Sequence, residues 1–429
     1  MNIRQVALAT VALAWAGGAP ARAQDWAAAV AGDSTLQALV AEALQRNPAL
    51  LGRQAAFEAA ERRVRPAGAL PDPLFQVGRF DLFRQHYQFT RIEMELSQEV
   101  PWPGTLGART GVARAAAARA RAEEAASRRD VTVAVAAAYY RLRYLVTALG
   151  TAASQQRLLE AAVELTTTRY ATGTASQSDP LQAKLARDRL ASEQLALQAE
   201  YAAVVAALNA LRGRYATDSI AIAPLEAPAV RARLVSPPSP DSLVALALAA
   251  HPLIAARRAA AEQAGSAVRV ERLAGRPDLT FTLGYEYNST VVGFNIPDVV
   301  SAFLGVRLPI WAGRKQHRLA DAARADSVAA AAALRETEVQ LTREVVETAA
   351  RTAAGERRLL LLVDGVVPAA RGTVQSVLRT YQVGRTEFLT FLAVQDALFR
   401  AELEAAAVAA EHQTHVTMLR ELTAGERSP

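Results

Sequence analysis

The sequence contains no cysteine, which excludes thiol nucleophiles, CxxC redox pairs, cysteine-ligated zinc and the acylated cysteine of a lipoprotein. Aromatic residues make up only 6 % of the chain against 51 % hydrophobic residues, so most of the apolar mass is Ala, Leu and Val, a composition suited to helices. Histidine is scarce, at 5 residues. In Glu411-His412-Gln413-Thr414-His415 the acid precedes the first His and the spacing is i, i+3, which is not a zincin pattern; the two His could share a helix face and hold a metal, but without a third ligand they are expected to be solvated polar residues. No phosphate-binding loop and no G-x-S-x-G elbow occurs, so no enzyme and no cofactor is expected. The net charge of +6 is small for 429 residues and interspersed with acids, which does not indicate nucleic acid. Arg62-Arg63 and Arg257-Arg258 read as helix faces balanced by nearby Glu.

Long apolar runs are missing too. The one near the start, Val6 to Ala16, follows Arg4 and leads to Ala21-Arg22-Ala23, matching a secretory signal peptide cleaved after Ala23. It is shorter than the ~20 residues of a spanning helix, and no later stretch reaches ~18. The expectation is an exported, non-lipidated chain that is periplasmic, secreted or barrel-forming.

The chain that follows is a tandem duplication. Leu44-Gln45-Arg46-Asn47-Pro48 recurs as Leu248-Ala249-Ala250-His251-Pro252, and Pro71-Asp72-Pro73-Leu74-Phe75 as Pro277-Asp278-Leu279-Thr280-Phe281. Val100-Pro101-Trp102-Pro103-Gly104 answers Leu308-Pro309-Ile310-Trp311-Ala312-Gly313, and Tyr170-Ala171-Thr172-Gly173 answers Tyr381-Gln382-Val383-Gly384. Such self-similarity controls the choice of fold. The expected organisation is a signal peptide (1–23), a first repeat (24–220), a Pro-rich crossover (221–240) and a second repeat (241–429).

Each repeat reads as helix, two strands, very long helix, turn, helix. In the first, helices are expected from Ser34 to Arg65, over 104–169 and over 177–212, around a hairpin at 74–98. In the second, a helix starting at Asp241 or Ser242 precedes a hairpin at 279–310, a long helix at 314–381 and a helix at 387–424. The two shorter helices of the first repeat together match the long one, which suggests that they stack end to end beside it through heptad-like seams. Ala-rich faces want close helical neighbours on both flanks, so lateral closure into a ring is expected.

The strands alternate with period 2. Leu279, Phe281, Leu283, Tyr285 and Tyr287 share one face, as do Ile92, Met94 and Leu96, while the segment from Leu74 to Phe83 alternates poorly. About 10 residues suffice for a tilted strand to cross a bilayer. Four strands cannot close alone, so two chains would give eight strands or three would give twelve. Glu93, Glu95, Glu286 and Arg307 fall on the polar phase and are expected to line the lumen of that barrel. Trp102 and Trp311, where strand meets helix, suit either an interfacial aromatic belt or a junction cover. An exported helical scaffold whose hairpins pack on another protein is the non-transport alternative.

The duplicated order of elements, Asn47-Pro48, His251-Pro252, Glu99-Val100-Pro101-Trp102-Pro103-Gly104 and the two Tyr-x-x-Gly turns together make the chain resemble the TolC-type outer-membrane efflux proteins. The fold class is therefore mainly α, with tandem-duplicated long helical hairpins forming an α-barrel and a small transmembrane β part. The resemblance implies a homotrimer with a twelve-stranded barrel in outer-membrane lipid, helices extending into the periplasm, a periplasmic adaptor and an inner-membrane transporter of the RND type. The Trp-Pro-Gly sequence is most similar to the metal-efflux branch (CusC and CzcC types); a type I secretion duct stays open within the same class.

A Gly at a helix end is ordinarily a C-cap. The duplicated Tyr170 and Tyr381 and the small polar residues after each Gly favour a docking surface, and the resemblance implies an adaptor seam at Gly173, Thr174, Gly384, Arg385 and Thr386. It also implies a constriction on the helix after the second turn, where acids expected six and nine positions after the Gly are here Thr390 and Ala393. Asp179, Glu387 and Asp396 lie close by, so a resting closure through Arg385, Glu387 and Asp179 is expected.

Overall fold

The computed structural model describes residues 33–84, 87–289, 297–383 and 385–423; the expected signal peptide and Gly384 lie outside the described residues. In chain order the described elements are α1 (Ser34–Arg46), α2 (Pro48–Arg62), α3 (Val64–Ala67), β1 (Leu74–Arg84), β2 (Tyr87–Val100), α4 (Thr105–Ala171), α5 (Ser178–Leu211) and α6 (Ala227–Arg231). Then come α7 (Pro240–Ala250), α8 (Pro252–Leu273), β3 (Asp278–Asn288), β4 (Val299–Arg307), α9 (Gln316–Leu361), a π-helical turn (Leu362–Val366), α10 (Val367–Gln382) and α11 (Phe388–Thr423). They form two compact units, each drawing segments from both repeats. Among the described residues the first takes 33–43, 131–247 and 344–423, and the second takes 44–130 and 248–343.

The expected helix from Ser34 to Arg65 is broken at Asn47. Pro48 has no N–H and holds its predecessor extended, so Asn47 (ψ 119°) stops α1 and caps α2, its Oδ1 accepting from the N–H groups of Ala49 (2.9 Å) and Leu50 (3.3 Å). His251 (ψ 126°) does the same before Pro252, its Nδ1 accepting from the Leu253 N–H at 3.2 Å. That acceptor must be unprotonated. Burial, with Arg129 nearby, pushes the imidazole down to about 4 from 6.5. A His held below its unfolded pKa stabilises the fold fully above that value, and the contribution is lost as pH falls from about 6.5 to about 4. The upper limit is about 3 kcal/mol, reduced by water reaching the half-buried ring. His251→Asn, which copies the first repeat, should keep the cap without titrating. Its melting temperature is expected to gain on the parent's between pH 7 and pH 4.5; a constant difference would refute the account.

The second long helix, expected unbroken over 314–381, starts at Gln316 and is interrupted by the π turn. Pro368 cannot donate to residue 364 and its ring crowds that carbonyl, and one widened turn absorbs both faults. β4, expected to reach Ile310, ends at Arg307, because Pro309 cannot extend a ladder and its carbonyl accepts from the Ala312 N–H (2.9 Å) in a turn.

In the first unit the core gathers Leu36, Leu39, Tyr139, Leu142, Leu208, Leu225, Leu359 and Val408. Glu42 of α1 clamps the end of α5 through Arg212 (2.6 Å) and Arg214. In the second unit the helices bury mostly alanine, among them Ala108, Ala115, Ala256, Ala259, Ala320 and Ala323, so backbones approach closely. No single helix among the described residues is long and apolar enough to cross a membrane.

Candidate functional site

Two regions carry the expected site residues. In the second unit the four strands form one antiparallel sheet in the order β1-β2-β3-β4. Register fixes the faces, since directly paired residues share one. Glu93 pairs with Glu286 and Gly78, Glu95 with Gly284 and Gln76, and Asp278 with Arg307. Period 2 therefore puts Glu93, Glu95, Glu286 and Arg307 on one face. The other face carries Phe75, Val77, Ile92, Met94, Leu96, Phe281, Leu283, Tyr285, Val300, Leu304 and Val306.

The poor alternation of β1 has a local cause. Arg79 and Asp81 interrupt its apolar face near the hairpin end and neutralise each other, with Thr90 Oγ1 donating to Asp81 at 2.8 Å. Phe80 falls on the polar face and covers Gly78, whose missing Cβ would lie 3.2 Å from the ring. Two of the four expected lumen residues are paired: Glu286 with Arg91, and Arg307 with Glu99 in a fork at 2.7 and 3.0 Å. Glu93 and Glu95 have no ion pair among the described residues. Arg91 and Glu99 were not anticipated, although their place on the same period-2 phase was readable.

In the first unit, the α4–α5 turn is a Schellman cap: Gly173 has φ +72° and the Thr174 N–H donates to the Arg169 carbonyl at 2.8 Å. The α10–α11 turn repeats the long bond, from the Arg385 N–H to the Thr380 carbonyl at 3.0 Å, and Thr386 Oγ1 donates to Thr380 Oγ1 at 2.9 Å. The two tyrosines part company. Tyr170 is 46 % exposed, whereas Tyr381 is 6 % exposed, stacks on Phe391 (5.9 Å) and meets Phe388 at a tilt (5.8 Å), with the Arg169 guanidinium 5.0 Å above its ring. Tyr381 is thus a packing residue, and the expectation that both tyrosines face a partner is corrected for it.

Further along, Gln395 Nε2 donates to Gln155 Oε1 at 2.9 Å, a buried polar link between α11 and α4 that sequence reasoning missed, because pairing at this distance in sequence has no local signal. Asp179 sits in the first turn of α5, where the helix dipole favours an acid. Glu387, Thr390 and Asp396 are exposed, and Asp396 pairs with Arg400 of its own helix at 2.8 Å. Among the described residues Arg385, Glu387 and Asp179 make no hydrogen bond or ion pair with one another, so the expected polar closure does not form within one chain.

The fold and its paired turns meet a model of outer membrane efflux proteins over residues 39–214 and 243–425, once for each repeat. The chain belongs to the outer membrane efflux protein family. It is 25 % identical over 379 residues to the cobalt-zinc-cadmium resistance protein CzcC of Cupriavidus metallidurans, covering 87 % of this chain and 86 % of that one. Among solved structures it matches the outer-membrane channel OprN at TM-score 0.80 and 18 % identity, covering 94 % and 92 %. It matches CusC at 0.80 and 18 %, covering 92 % and 93 %, and VceC of Vibrio cholerae at 0.78 and 22 %, covering 92 % and 97 %. As a member of this family the chain is an outer-membrane channel of an efflux system, and its family is one of conduits rather than enzymes.

His412 is not the solvated residue expected from the sequence. His412 is 3 % exposed, its Nδ1 lacks a partner and lies where a side chain on Gly355 would touch it at 3.4 Å, and burial holds its pKa and that of His415 below the usual range. Among the described residues no group of three metal-ligating side chains forms. The first unit also contains a cavity of about 400 Å³ lined by Asp33, Tyr140, Arg143, Glu226, Arg233 and His412. The expected aromatic pair differs as well: the Trp102 backbone N–H donates to Asp278 Oδ1 at 2.9 Å and its side chain is half-buried, while Trp311 is 66 % exposed.

Proposed function

We propose that three copies of this chain close a twelve-stranded barrel in the outer membrane and serve as the duct of a tripartite system that expels divalent metal cations, fed by an inner-membrane transporter of the RND type through a periplasmic adaptor. The observation that carries the reading is the four-stranded sheet with one polar and one apolar face and two unpaired edges, β1 and β4, which in lipid only other copies can satisfy. Likeness to a cobalt-zinc-cadmium resistance protein supports metal as the cargo. The tips at Gly173, Thr174, Arg385 and Thr386 are the adaptor seam, and a ring of Asp179, Glu387 and Asp396 from successive copies narrows the aperture.

Glu93 and Glu95 are acids of the polar face with no ion pair among the described residues, so they set the cation preference of the pore, whereas Glu286 is already neutralised by Arg91. In bilayer recordings, Glu93→Gln with Glu95→Gln is expected to lower the cation-to-anion permeability ratio about two-fold or more, and Glu286→Gln to change it less. Unchanged selectivity in the double variant would remove these residues from the lumen. Native mass spectrometry of detergent-extracted protein should give a trimer; a folded monomer would overturn the shared barrel.

A further inference from the structure

Four chain crossings join helix to strand at one end of the sheet, where Leu74, Val100, Asp278 and Arg307 are brought together by the register. The sequence around Arg62-Arg63 read as a balanced helix face, but the side chains make a different pattern. Arg63 and Arg65, just before β1, are exposed and form no ion pair among the described residues. Arg272 and Arg276 before β3 are likewise exposed and unpaired there. After β4 the segment from Arg307 to Asp321 carries Arg314, Lys315 and Arg318 against one acid, Asp321, which is already paired with Arg324. After β2, residues 101–118 hold Arg109 and Arg114 and no acid at all.

The crossing after β4 adds apolar side chains. Leu308, Ile310 (76 % exposed) and Trp311 stand in water beside Arg314 and Lys315, whereas in the duplicate position after β2 Pro101 is buried and Trp102 half-buried. An exposed Trp and Ile flanked by unpaired cations match a bilayer boundary, with the indole among the first acyl carbons and the cations at phosphate level.

We propose that this cationic collar binds the anionic phospholipid headgroups of the leaflet beneath the barrel, with Trp311 and Ile310 inserted beside them. The inference rests on the barrel reading above. A second copy is the rival occupant, since β4 is an edge strand. Pairing β4 with the β1 of another copy would, however, bring the Arg63–Arg65 crossing beside the Arg314–Arg318 crossing, cation against cation. An anion between them removes that repulsion, and a phospholipid phosphate supplies it where the acyl chains meet the strands.

The test reconstitutes the full chain in nanodiscs of phosphatidylethanolamine, with and without phosphatidylglycerol, and counts retained lipid by native mass spectrometry. The parent is expected to retain phosphatidylglycerol selectively. Arg314→Gln with Lys315→Gln and Arg318→Gln should weaken that retention about a hundredfold, at a few-fold per cation lost near an anionic surface. Arg314→Lys with Arg318→Lys, which keeps the charges, should retain it, as should neutralisation of Arg157 and Arg189 in the first unit. Equal retention of both lipids by the parent overturns the proposal and leaves the barrel standing. Loss of the oligomer in the neutralised variant in lipid-free detergent also overturns it, because the surface is then a contact between copies. A parent that stays out of bilayers overturns the barrel reading and this one together.

Discussion

Replacing Tyr381 with alanine is expected to destabilise the tip of the first unit by about 3–5 kcal/mol, the range for deleting a buried aromatic side chain. The ring is packed among Phe388, Phe391, Ala162 and Ala183 and capped by the Arg169 guanidinium, so its loss empties the centre of that cluster. Its hydroxyl is buried without a partner among the described residues, so Tyr381→Phe should equal the parent or exceed it slightly. Tyr170→Ala, at the duplicate position, should change stability by no more than about 0.5 kcal/mol because the side chain is exposed. If the tips dock an adaptor, Tyr170→Ala should nevertheless weaken adaptor crosslinking in cells. Urea unfolding followed at the tip, with crosslinking scored in parallel, separates the two roles. Equal loss of stability from both alanine variants would contradict the asymmetry.

That asymmetry marks how far the sequence can be read. The Tyr-x-x-Gly repeat announced two helix ends, and the glycine geometry needed at Gly173 is local, so the turn was legible. Which tyrosine is buried depends on Arg169 reaching across from another helix, and on Phe388 and Phe391 following one turn and not the other. The strand faces were legible because period 2 is a local property, and Glu93, Glu95, Glu286 and Arg307 do share a face. Their partners were not: pairing Arg91 with Glu286 requires the register between strands some two hundred residues apart. The π turn lay one step from view, since Pro368 was visible but whether a proline breaks, kinks or widens a helix depends on its packing. The crossover read only as breaker-rich, yet it holds α6 and is strapped to α4 by backbone acceptors that no composition reveals.

That strap supports the second large effect, at Arg143. Its guanidinium donates to the Ala223 carbonyl from Nε (3.3 Å), to the Pro224 carbonyl from Nη2 (3.0 Å) and to Asp33 Oδ2 from Nη1 (3.1 Å), and lies 5.7 Å from the Tyr139 ring centroid. Asp33 also accepts from the Tyr139 hydroxyl (2.7 Å) while its other oxygen caps α1. Burial and the adjacent carboxylate hold the Tyr139 phenol protonated well above its ordinary range, and burial pushes Tyr140 up to about 12, so both remain neutral at working pH. Only a planar fork of donors can meet a carboxylate and two carbonyls at once. Arg143→Ala leaves a largely buried carboxylate and two carbonyls without their donor, and is expected to cost about 3–5 kcal/mol. Arg143→Lys keeps the charge but not the fork, so about 1–3 kcal/mol is expected, with the crossover released from α4. Limited proteolysis over residues 214–240 should report that release as faster cleavage in both variants, because the Ala223 and Pro224 carbonyls lose the guanidinium while Leu225 keeps its core packing and its N–H bond to Thr147 Oγ1 at 2.8 Å. Asp33→Asn retains the cap of α1 and removes the charge, so in combination with Arg143→Ala the loss should fall well short of the sum of the single variants. Strict additivity would mean that Arg143 acts on the crossover alone, with Asp33 no more than a helix cap.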